Sequence, residues 1–253
     1  MPGFESLDPS NLALLLAVLA FAGTVHGALG LGFPMIATPL LALRTDVLSA
    51  MLIVLVPTLA VNILSILKGG RWDRSIKRFW PLAAFGALGS IAGTRLLVAT
   101  DPEPYRLVLA AVILLYLNVR RLGVRMQWVN HRRWLAFGVF GISGGLLAGT
   151  VNVMVPALIV FALEAGLAAT VTVQVFNFCF LAGKLSQAAV FTAAGLLTPN
   201  VLLTTAPLAA VTLLALALGM AVRDRIDAET YRRWLRKVLY LIAVLLVVQF
   251  FVD

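Results

Sequence analysis

The chain has 253 residues, 61% of them hydrophobic and only 12% charged, with a formal net charge of +9 from 20 Lys and Arg against 11 Asp and Glu. Soluble domains carry about 25% charged residues, so this composition excludes a soluble globular protein and leaves a polytopic membrane protein whose first partner is the lipid bilayer. In such a chain a cationic excess follows the positive-inside bias of short loops, and nucleic acid is not expected as a partner.

In chain order, the first apolar run, residues 11–22, follows Glu5 and Asp8 rather than basic residues, unlike a cleaved secretory signal. The whole segment 11–43 is apolar but broken by glycines in GALGLGFP, residues 27–34. About thirty residues of helix reach ~45 Å, too long for one straight pass and too short for two. The segment is therefore predicted to be a hairpin with a long arm, a turn and a short half-helix. Spans are predicted at 47–67, 79–98 and 104–121. A second broken segment, 134–163, carries GISGGLLAGT at 141–150 and reads as another hairpin, followed by spans at 168–190, 199–222 and 237–252. The expected fold is an all-α polytopic membrane protein of about eight transmembrane segments, six full spans and two broken Gly-rich helical hairpins, in two inverted repeats. The single cysteine, Cys179, excludes an intramolecular disulfide and reads as a small core residue.

Three groups of basic residues set the orientation: Lys68 to Arg78, Arg120 to Arg133, and Arg223 to Lys237. These loops are predicted to be cytoplasmic. The segment before Arg44 and the loops 100–104 and 192–200 contain no Lys or Arg and are predicted to be external, as are both termini, in a multi-pass protein of the inner membrane. On this assignment the second broken segment must return to its starting side, which a hairpin does and a single crossing does not. The chain divides into a first repeat, 1–121, a cytoplasmic basic connector, 122–133, and a second repeat, 134–253. Laid over one another on prolines, Gly32 and Pro39 fall on Gly149 and Pro156, and Gly27 on Gly144.

The two Gly-rich stretches, GALGLGFPMIATPLL at 27–41 and GGLLAGTVNVMVPALIV at 144–160, resemble those that open each half of the TauE/SafE sulfite exporter family. The resemblance covers nearly the whole chain in architecture. It implies transport of sulfite, sulfonates or related small organosulfur anions.

Helix breaks leave backbone N–H groups unpaired at the positive end of the helix dipole, which can hold an anion without a fixed charge. Gly30, Gly32 and Thr38 in the first half and Gly149, Thr150 and Asn152 in the second are candidate substrate contacts, shaped by Pro34, Pro39 and Pro156. The same small residues would also serve tight helix packing. Lys184 lies inside a span, where a charge is expensive. At 100° per residue, Thr170, Gln174, Asn177, Lys184 and Gln187 fall within a sector of about 140° that should face the interior. Lys184 would offer three ammonium donors to an anion; snorkelling to the outer interface is the competing explanation. Thr58, Asn62 and Ser65 share one face of the corresponding first-half span. They would complete the site or hydrogen-bond between helices, with Pro57 suggesting a kink. His26, at the first break, is a candidate for proton coupling, against the simpler role of a hydrogen-bonded histidine. Gly86, Gly89 and Gly93 form a packing face, and Arg95 is explained by snorkelling.

No Asp or Glu lies in a span core, which disfavours cation transport. No phosphate-binding loop or metal-ligand motif appears, so no metal, cofactor or enzymatic activity is expected. The leading reading is a secondary transporter of small anions working by alternating access, with homo-oligomerisation compatible with it. A passive anion channel of the same fold, a membrane-embedded enzyme and a non-transporting scaffold are the competing readings.

Overall fold

A computed structural model describes residues 9–69, 72–118, 126, 128–223 and 228–252. The described residues form α1 (Pro9–Leu29), α2 (Phe33–Ala42), α3 (Val47–Ile53), α4 (Leu55–Lys68), α5 (Trp72–Ala99) and α6 (Tyr105–Asn118). After them come α7 (Trp128–His131), α8 (Arg133–Val151), α9 (Val155–Glu164), α10 (Ala169–Ala193), α11 (Pro199–Val222) and α12 (Ala228–Val252). Six helices are long and apolar enough to cross a bilayer, seven when the bent pair α3 and α4 counts as one span. The boundary at 121, most of the connector 122–133, and Arg71, Arg120, Arg121, Arg125 and Arg225 of the basic groups lie outside the described residues.

Both broken segments form a long arm, a break and a ten-residue half-helix. The chain leaves α1 through Gly30 and Gly32, at φ of 79° and 109°, where a side chain would be strained. It leaves α8 through Asn152, at φ of 63°, a conformation that asparagine tolerates better than most residues. Both half-helices carry proline at their second residue, Pro34 and Pro156, where the missing N–H is no loss. That shared signal corrects the sequence register. Element bounds recur at an offset of 122 positions (Phe33 to Val155, Ala42 to Glu164, Val47 to Ala169), so Pro34 rather than Pro39 matches Pro156. Gly27 then falls on Gly149, Gly30 on Asn152 and Asn62 on Lys184. Pro39 misled the alignment because it sits in the interior of α2.

The span predicted at 47–67 is bent by 51° between α3 and α4. Pro57 explains the place, since its absent N–H would have served the carbonyl of Ile53, the last residue of α3. Helices α5 and α12 begin well before the predicted spans at 79 and 237, because helix-forming charged residues extend a helix beyond its apolar stretch.

Two glycine seams bind the bundle, each between the long arm of one broken segment and a span from the other half of the chain. Along α5 and α8, a Cβ added at Gly89 would lie 2.3 Å from Ile142 O, at Gly93 2.4 Å from Leu146 O, and at Gly145 2.0 Å from Gly86 O. Along α1 and α11, one at Gly27 would lie 2.2 Å from Leu216 O and one at Gly219 2.1 Å from Thr24 O. The backbones touch, as small residues allow in apolar surroundings. Leucines such as Leu203, Leu214 and Leu218 are exposed, whereas His26, Asn62, Asn177, Lys184 and Gln187 are buried. Apolar outside and polar inside is the distribution that lipid as solvent selects.

The described members of the basic groups lie near the starts of α5, α8 and α12 and the ends of α4 and α11. Lys77, Arg78 and Arg133 line one cavity, and the Arg236 guanidinium donates to Leu117 O at the end of α6, 3.2 Å away. At the opposite end of α12 the Gln249 amide donates to Leu43 O, just beyond α2, at 3.1 Å.

Candidate functional site

Between the first turns of α2 and α9 lies a cavity of about 20 Å3. Pro34 and Met35 reach it from α2, Met154 and Val155 from the start of α9, Thr58 from α4, Ala148 and Asn152 from α8, and Lys184 and Gln187 from α10. Each half-helix begins at a chain break, so its first N–H groups have no carbonyl one turn earlier. Proline removes one of them in each helix. The Phe33 N–H donates to His26 Nδ1 at 3.2 Å. Met35 N–H and Val155 N–H meet no acceptor among the described residues. Two positive helix ends therefore converge on one small space.

Lys184 enters the same space. It is 4% exposed, and its ammonium donates to Gln187 Oε1 one turn along α10. The Gln187 amide donates in turn to Ala148 O at 2.6 Å, near the end of α8. This chain of bonds holds Lys184 beside the second break and away from the lipid. The predicted stripe faces the interior at Gln174, Asn177, Lys184 and Gln187, while Thr170, at the helix start, is exposed.

Other predicted residues take neighbouring places. The Asn152 amide donates to Thr38 Oγ1 at 2.6 Å, tying the second break to the middle of α2. Thr58 lines the cavity and its hydroxyl donates to Val54 O at the bend, 2.6 Å away. The Asn177 amide donates to Gly30 O and Val173 O, both at 2.8 Å, so it secures the first break outside the cavity lining. The Gln174 amide donates to Gly69 O at the end of α4. Asn62 is fully buried, and neither its Oδ1 nor its Nδ2 has a partner among the described residues.

Three glycines and a threonine stand apart from the cavity. Gly149 belongs to the α5 seam, where a Cβ would meet Ser90 O at 2.5 Å, so packing accounts for it. Thr150 bonds back to Leu146 O within α8. Gly30 and Gly32 shape the first break without lining the cavity, a Cβ at Gly30 meeting Val173. His26 spans the first break: Nδ1 accepts from Phe33 N–H, and Nε2 lies 3.1 Å from Ser65 Oγ. A ring that accepts at Nδ1 carries its proton at Nε2, so the geometry fits a neutral imidazole capping α2.

Sequence reasoning missed Met35, Met154 and Val155 as cavity residues. The proline at the second position of each half-helix was the available signal, because it marks where a helix starts and hence which residues form its first turn.

The arrangement offers two unpaired N–H groups, an ammonium and a carboxamide in a space that admits a water but is too small for an oxyanion. To receive an oxyanion there, the surrounding helices would have to part. The family described as Sulfite exporter TauE/SafE matches residues 15–250. No curated protein and no solved structure matches the chain.

Proposed function

The chain belongs to the TauE/SafE sulfite exporter family, and from that premise we propose that it is a secondary transporter of a small sulfur-containing anion, held between the first turns of α2 and α9. The observation that carries this reading is Lys184, buried among apolar helices and set where two broken helices present their N-termini. A lone ammonium inside a membrane protein is costly without a function, and two helix ends add favourable potential for an anion.

Alternating access rests on the proposed inverted repeat, 1–121 against 134–253 across the connector 122–133. Supporting it are the shared offset of the element bounds and the exchange of contacts: α1 packs on α11 as α8 packs on α5, and α2 meets α12 as α9 meets α6. Asn152 to Thr38 and Asn177 to Gly30 tie each break to the other half. Rocking one hairpin against the other would break one tie and open the cavity to one side. Asn62, placed like Lys184 in the other half and unpartnered among the described residues, would take the substrate along its path. The cytoplasmic placement of the basic groups, external termini and an inner-membrane location complete the proposal.

The test is uptake of labelled sulfite, sulfate, thiosulfate and taurine into proteoliposomes, wild type against Lys184→Gln. Saturable flux of one sulfur anion, at least tenfold lower in the variant, is expected. If the wild type moves none of the four above empty liposomes, the sulfur-anion assignment fails. Undiminished flux in Lys184→Gln removes the cavity as the site, and flux that follows voltage without saturating points to a channel.

A further inference from the structure

A second cavity, of about 290 Å3, opens where α5, α7, α8 and α9 meet. Lys77, Arg78 and Arg133 supply three cations to its lining. None of them makes an ion pair among the described residues. Glu164, at the end of α9, is engaged elsewhere, accepting from Met126 N–H at 2.6 Å. Cations that have no carboxylate partner among the described residues leave this cavity fitted for an anion from outside the chain.

The rest of the lining says what kind. Trp80 and Trp134 also line the cavity, their rings in an edge contact at 6.4 Å, and both are more than half exposed. Beneath them Phe79, Phe137 and Phe161 are buried and packed edge-on or tilted against one another. A soluble oxyanion needs neither an aromatic rim nor an apolar floor. Exposed tryptophans belong at the level of lipid headgroups, and basic pockets between membrane helices on the cytoplasmic side suit anionic headgroups. The volume lies just below the range for small-molecule sites, about 300–1,000 Å3, and leaves room for a phosphate with its glycerol.

We propose that this cavity binds the phosphodiester headgroup of an anionic phospholipid from the cytoplasmic leaflet. Arg78 and Arg133 grip the phosphate with planar guanidinium donors, Lys77 adds a point charge, and the tryptophan pair lies along the glycerol and the start of the acyl chains. Arg78 is already braced, its guanidinium carbon 5.2 Å from the Phe79 ring centroid. The lipid would bridge α5 and α8 at the end of their glycine seam, independently of what the central cavity transports.

Native mass spectrometry of the purified full chain, with thermal shift in detergent, tests this with phosphatidylglycerol, phosphatidylcholine and soluble glycerol 1-phosphate as probes. Phosphatidylglycerol should be retained and raise the midpoint, with the other two inactive at equal concentration. Each removed cation should weaken its binding about fivefold. Lys77→Gln should therefore show about a fivefold loss and Arg78→Gln/Arg133→Gln about a twenty-five-fold one, while Arg44→Gln/Arg95→Gln should leave binding unchanged. Equal retention of phosphatidylcholine, or unchanged affinity in the cation variants, overturns the proposal. Displacement of the lipid by glycerol 1-phosphate at equal concentration assigns the site to a soluble phosphate instead of a lipid.

Discussion

Helix α8 packs by opposite rules on two of its sides. Toward α5 it presents Gly141, Gly145 and Gly149, and the two backbones leave no space for even a methyl group. Toward α10 it presents Ala148 O and Asn152, bordering a cavity held open by long polar side chains. The first side has no adjustable parts: moving it means sliding one backbone along another. The second is built from rotatable amides and an ammonium whose bonds can be exchanged for bonds to a ligand. The contrast teaches where motion would be cheap: the α5–α8 seam resists sliding, whereas the bonds on the α10 side can be exchanged.

Breaking the rigid side should have the largest effect. Gly145→Leu places a branched chain where a single Cβ would already lie 2.0 Å from a backbone oxygen. Overpacking costs of about 1–3 kcal/mol apply where neighbours can yield; here a backbone cannot, so loss of monodisperse protein on size exclusion is expected. A folded variant with an unchanged melting midpoint would mean that the seam is looser than its geometry. Away from the seam, on α4, Asn62→Leu removes two buried polar atoms that have no partners among the described residues. It should raise stability by about 1 kcal/mol or more while lowering anion flux severalfold, a pairing that a purely structural asparagine would not give. Higher stability with unaltered flux would take Asn62 off the substrate path. The smallest effect belongs to Gly138→Ala, on α8 but clear of the seam, where an added Cβ meets nothing within 4 Å. Its midpoint should rise slightly, by no more than the ~0.5–1 kcal/mol difference in helix preference, and a large loss would extend the seam beyond its mapped length.

Much of this architecture was legible in the sequence because lipid imposes simple rules. Apolar runs marked the helices, clustered Lys and Arg marked helix ends, and glycines followed by proline marked the breaks. The interior position of Lys184 was readable from its polar neighbours at helical spacing. Other features needed coordinates. The bend at Val54 lies one turn before the proline that causes it, so Pro57 signalled a kink without giving its place or its 51° size. Gly149 and Gly30 look alike in sequence, yet one brings two backbones together and the other turns the chain with φ positive. The role of His26 depends on the Phe33 N–H, seven residues on, which only the folded break brings to its ring.

Cys179 is the one thiol in the chain, is fully buried, and lies on α10 five residues from Lys184. In the closed arrangement it is sealed from aqueous maleimides, so the unaltered protein already serves as a blank background for any cysteine introduced at a loop. If α10 parts from its neighbours during turnover, this sulfur becomes a clock for the event: its alkylation rate would report how often the helix is laid open, without any engineered probe.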